Sequence, residues 1–125
     1  MELNDKQKIF IQNKLTLLKK SKFRSSFHLR KYMIKYIQDK GMDIIEEHCF
    51  SFIDKNLTIY SSSKDGRQTP MKNHPVFIAQ HATATCCRGC LEKWHHIPKE
   101  KVLNEREKKF IVALILSWIE EEYNK

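Results

Sequence analysis

Long apolar stretches are missing from this sequence. No run reaches the roughly 18 residues a membrane-crossing helix needs, so no such span is expected. The N-terminal MELNDKQKIF is polar and has no apolar central region, so no secretory leader is expected and the chain is assigned to the reducing cytoplasm. In that compartment cysteines serve more often as ligands or nucleophiles than in lasting disulfides. Internal repeats, heptad arrays and low-complexity tracts are absent too, which removes solenoids and coiled coils from consideration. Two catalytic signatures are also lacking. There is no HExxH of a metalloprotease helix, and no His-x-Glu ahead of a Pro-Cys-x-x-Cys of the zinc deaminases.

What remains suits one ordinary domain of 125 residues, with 41% apolar, 10% aromatic and 30% charged content. The formal charge of +8 is concentrated at one end, since residues 1–40 hold eleven Lys and Arg against three Asp and Glu. A basic face of this kind attracts polyanions, so DNA or RNA is the expected partner. The alternative is that lysine-rich helices simply keep the surface solvated.

The periodicity is helical. Asn4 caps a first helix running to about Lys20, with Ile11, Leu15 and Leu18 on one stripe and Phe10 and Leu17 beside it. A second covers about Leu29–Lys40, and Gly41 lies just past its end. Asp43 with Glu46 reads as a capping box opening a third helix through about Leu57, with Ile45, Cys49 and Phe52 inward. A polar connection follows, TIYSSSKDGRQTPMKNH, with TIYSSS as a candidate short strand. Pro75 suits the first position of a fourth helix, Val76–Ala84, and Leu91–His95 forms another turn or two. Asn104 and Glu107 make a capping box for the strongest helix, whose stripe is Phe110, Ile111, Leu114, Ile115, Trp118 and Ile119. The expected fold is all-α, a compact single domain of five to six helices with one long polar loop. His48 reads as a packed histidine, Trp94 and Trp118 as core anchors, and His28 and His96 as surface residues.

Residues 81–96, HATATCCRGCLEKWHH, hold three cysteines and three histidines. Zinc takes three or four N or S ligands in a tetrahedron, and Cys87-Arg88-Gly89-Cys90 lets one turn present two thiolates. Gly89 is read as the residue that lets that turn adopt positive φ. With His81 before and His95 after, the expected ligand set is His81, Cys87, Cys90 and His95, and Cys86 and His96 compete for the same places. Three other readings stay open. The cysteines are packed and metal-free; or Cys86 or Cys87 is a nucleophile activated by a histidine and Arg88; or a disulfide or iron–sulfur cluster forms, against which stand the strained ring of adjacent cysteines and the need for a fourth thiolate.

Ahead of this cluster, KDGRQTPMKNHP brings Lys64, Arg67 and Lys72 close to a helix N-terminus at His74-Pro75, a natural anion site. The expected anion contacts are Arg67, Lys72, Arg88 and Lys93.

KFRSSFHL at Lys22–Leu29 and DGRQTPMKNHPVFIAQHATATCCRGCLEKWHHIPK at Asp65–Lys99 resemble the bacterial family termed domain of unknown function 4186. The likeness spans about Phe23 to Trp118 and implies short, single-domain bacterial proteins, with no catalytic role to carry over. On this reading residues 1–20 are an N-terminal helix outside the family match, able to pack on the domain or drive self-association, and residues 21–125 are the helical domain. The combined expectation is a structural zinc ion in a domain that binds nucleic acid. The competing one is an enzyme using the cluster as a metal- or cysteine-dependent active site.

Overall fold

Six α-helices and no strand make up the fold. In this computed structural model, which describes residues 1–125, they are α1 (Asp5–Lys19), α2 (Lys31–Lys40), α3 (Met42–Asn56), α4 (Pro75–Ala82), α5 (Arg88–His95) and α6 (Glu105–Tyr123). One short 3-10 turn, Arg24–Ser26, lies between α1 and α2.

Helix ends follow local chemistry. Asn4 accepts from the Gln7 amide while the Gln7 side chain accepts from the Asn4 amide, and Asn104 and Glu107 form the same reciprocal pair at α6. The box expected from Asp43 and Glu46 does not form. Gly41, at φ 84°, ends α2 and opens α3 in a single residue, which leaves no place for a capping side chain. Glu46 turns instead to the Met1 amino group, 2.6 Å away. Pro75 does occupy the first position of α4, and the His74 ring caps it by accepting from the Val76 amide at 3.0 Å.

At the centre stands α6. Ile111 through Leu116 are all buried, together with Trp118 and Ile119, so this helix is apolar on every side and must be surrounded. Its neighbours are α4, α3 and α1. α1 lays Ile11, Leu15 and Leu18 inward, and the Phe10 ring sits 5.7 Å from Phe110. α3 contributes Ile45, Cys49 and Ile53; Phe52, expected on that stripe, is only half-buried beside Phe77. Each large aliphatic side chain buried this way contributes about 2 kcal/mol.

The stretch from Thr58 to Asn73 forms no strand. It runs through turns, with Gly66 at φ 86°, and carries the chain from the end of α3 to the start of α4. No helix of the structure is long and apolar enough to cross a membrane.

Candidate metal centre

The segment between α4 and α5 is held from both sides. Ala84, in the left-handed region at φ 58°, turns the chain out of α4. The buried Gln80 then clamps Thr85, donating to its carbonyl at 3.1 Å and accepting its amide through the Gln80 carbonyl at 2.9 Å. Thr69, from the long loop, donates its hydroxyl to the Cys86 carbonyl at 2.7 Å. Cys87 is the N-cap of α5, its sulfur accepting from the Cys90 amide at 3.4 Å.

Asp65 completes this cap by accepting the Gly89 amide at 3.1 Å. Gly89 is therefore glycine for a different reason from the one expected. Its φ is not positive; instead, a Cβ there would lie 2.7 Å from the Asp65 carboxylate.

These constraints gather three sulfurs. The Cys86, Cys87 and Cys90 sulfur atoms all lie within 4.8 Å of one another, with Cys86 and Cys90 at 3.6 Å. Cys86 and Cys87 are buried, and Cys90 is half-buried. Above them lies Arg24, a buried residue of the 3-10 turn. It donates to the His81 carbonyl at 2.7 Å, to the Cys90 sulfur at 3.3 Å and to the Cys86 sulfur at 3.8 Å. The Phe23 and Trp94 rings flank its guanidinium at 5.0 and 5.8 Å.

All three thiols sit above their usual pKa. For Cys86 the contact with Cys87 leads, for Cys90 the contact with Cys86, and burial adds to both. Cys87 is eased down by Cys86, but Cys90 and burial together hold it up. In the absence of a cation the cluster therefore stays protonated near neutrality, which disfavours a free cysteine nucleophile. A thiophilic ion would displace those protons.

Of the four expected ligands, the structure brings Cys87 and Cys90 together and adds Cys86; the two histidines stand apart. His81 directs its Nε2–H to the Thr69 and Pro70 carbonyls at 3.2 and 3.0 Å, and its ring stacks on Phe27. His95 donates from Nε2 to the Thr83 carbonyl at 2.8 Å, while its buried Nδ1 has no partner. Burial lowers the pKa of both rings, that of His95 to about 4, so both act as neutral struts. His96, exposed and left-handed at φ 57°, ends α5.

The expected anion contacts divide as well. Arg67, Lys72 and Lys93 are exposed, with Arg67 also donating to the Ser63 carbonyl. Arg88 is not available to any ligand. It is fully buried and donates to the carbonyls of Leu57, Thr58, Pro98 and Lys101 at 3.2, 3.0, 2.7 and 2.9 Å. Nor is the α4 N-terminus open to an anion, because Val76 donates to the His74 ring and Phe77 and Ile78 to the His74 carbonyl.

A second polar group lies at the N-terminal end of α4. Because His74 Nδ1 accepts from Val76, its proton is on Nε2, which donates to His48 Nδ1 at 3.0 Å. The Tyr36 hydroxyl lies 3.3 Å from the same nitrogen. His48 is thus packed among aromatic rings, as expected, but inside a defined hydrogen-bond chain.

Comparison with known families decides the kinship of the chain. The model of the domain of unknown function DUF4186 matches residues 12–120. The chain belongs to this family. No solved structure matches it. The DUF4186 match covers the last part of α1, α2 to α5 and most of α6, including Arg24 and the three cysteines. Arg24 was not legible as part of the site. It lies 62 residues from Cys86 and 66 from Cys90, and only its place within KFRSSFHL marked it out.

Proposed function

We propose that this DUF4186 domain is a metal-binding unit in which the thiolates of Cys86, Cys87 and Cys90 hold one zinc ion. The observation that carries this is the convergence of three sulfurs on a preformed turn. Thiolates are the ligands zinc and other soft ions prefer, and three protein ligands leave one tetrahedral position for an exchangeable group. Arg24, against two of the sulfurs, offsets the net negative charge of three thiolates on a divalent ion.

The ion on this reading is working rather than structural. The core is a cluster of 25 buried residues that includes none of the three cysteines, and Gln80, Thr69 and Asp65 already fix the turn. Such a site suits binding or activation of a small ligand at the fourth position.

Elemental analysis tests the reading. Protein purified without chelator is expected to hold about one zinc per chain, and a Cys90→Ser variant to bind it about 100-fold more weakly. Chelation is expected to leave the helical circular dichroism signal in place. Protein that carries no ion and takes up none from added zinc would sink the proposal; loss of helix on chelation would return the ion to a structural role.

A second reading, nucleic-acid binding, is favoured by one observation. Lys8, Lys20, Lys22, Arg30, Lys31 and Lys40 are exposed and make no ion pair with a carboxylate. Affinity for duplex DNA is then expected to drop by about tenfold or more between low and moderate salt, as counterions are released. A flat salt profile in a fluorescence-anisotropy titration removes this reading.

A further inference from the structure

The three sulfurs are not equivalent. Cys87 has a backbone duty, its sulfur capping α5 through the Cys90 amide. Cys86 and Cys90 have none; their sulfurs lie 3.6 Å apart, and a single guanidinium spans both. A bridge between the adjacent Cys86 and Cys87 would close a strained eight-membered ring, and a bridge to Cys87 would disturb the cap. The remaining pair needs its sulfurs drawn from 3.6 Å to a bond length of about 2.05 Å. Cys90 is also the least buried residue of the three, half-buried where the other two are buried.

From this asymmetry, and resting on the metal-binding reading, we propose that Cys86 and Cys90 form a reversible disulfide whose closure expels the zinc ion. The oxidant is a hydroperoxide. The Cys90 thiolate attacks the O–O bond of hydrogen peroxide, forming an S–O bond and releasing hydroxide, which is protonated to water by the buffer. The Cys86 thiolate then attacks the sulfenyl sulfur, the S–S bond forms, and a second hydroxide leaves and is protonated. Two thiolates become one disulfide, hydrogen peroxide becomes two waters, and two protons are consumed from solvent. Cys87 alone cannot retain the ion, because a single thiolate remains where three stood. A dithiol reductant reverses the change by exchange at Cys90, the less buried residue of the pair.

The test uses full-length protein loaded with zinc and treated with hydrogen peroxide in small excess. Zinc release is followed with a chromogenic chelator, and the sulfur state by alkylation and peptide mass mapping. The expected result is release in step with a Cys86–Cys90 cross-link, both reversed by dithiothreitol and re-addition of zinc. A Cys86→Ser variant, which lacks the resolving thiol, is expected to form no cross-link and to gather sulfenic or sulfinic acid on Cys90. A cross-link mapped to Cys87, or Cys90 over-oxidation without any bridge in the unaltered chain, overturns the proposal. Protein that keeps its ion after the bridge has formed overturns the switch while leaving the metal site standing. Protein that never binds zinc removes the site itself and the switch with it.

Discussion

Replacing Arg88 by methionine is expected to destabilise the fold by about 4 kcal/mol, the largest effect foreseen for any single side chain. Four backbone carbonyls from two separate segments end on this guanidinium: Leu57 and Thr58 at the end of α3, and Pro98 and Lys101 before α6. A hydrogen bond from a charged donor contributes about 1.5–3 kcal/mol, and a buried carbonyl left without a donor costs about 1–3 kcal/mol. Methionine fills a similar volume but supplies no donor, so both segments lose their common anchor. Lysine is expected to recover little, because one ammonium cannot reproduce a planar fork aimed at four oxygens. Burial lowers the Arg88 pKa while Glu107, Glu92 and Asp65 pull it back up, so the group stays charged. Urea unfolding checks the value. Arg67→Ala, at an exposed arginine of the stretch between α3 and α4, serves as the control and is expected to change stability by less than about 0.5 kcal/mol.

The second large effect is acid lability. Burial pushes the pKa of His74 and His95 down to about 4, with the neighbouring His48 adding to the shift of His74. In the unfolded chain both titrate near 6.5. Below that pH the unfolded state therefore binds more protons than the folded one. Stability is level above about pH 6.5, falls as pH drops toward 4, and levels off below that. A loss on the order of 2 kcal/mol per imidazole is expected, a large share of the roughly 5–15 kcal/mol that holds such a domain together. Thermal melts from pH 7 to 4, run with chelator so that release of an ion does not contribute, check the slope. His74→Asn keeps an acceptor at the α4 cap but removes one titrating ring, and is expected to flatten the profile. An unchanged slope would show that His74 is solvated in the folded state.

How much of this was legible in the sequence depends on the range of the interaction. The α6 stripe, the Asn104–Glu107 box and the Pro75 start are local, set by residues within one or two turns, and they appear where the pattern puts them. The Asp43–Glu46 box failed because α3 starts earlier, directly from Gly41, which puts Asp43 inside the helix and leaves Glu46 to pair with the remote Met1 amine. Spacing brought His81 and His95 close to the cysteines along the chain but could not tell which way the rings point. Each instead satisfies backbone carbonyls, which must be paired when buried. Arg88 was read as an anion contact, yet its side chain runs inward to oxygens 10–31 residues away. Cys86, read as a competitor for one place, occupies a place of its own because Thr69 and Gln80 orient the strand-like segment that carries it.

Cys49 lies on the inner stripe of α3, wholly shielded, with its thiol pushed far up by burial. A maleimide can reach it only when α3 lifts away from its neighbours, so every molecule contains its own gauge of global opening. Labelling of the other three sulfurs reports the turn before α5, and the ratio of the two rates separates a loosened centre from an unravelling chain.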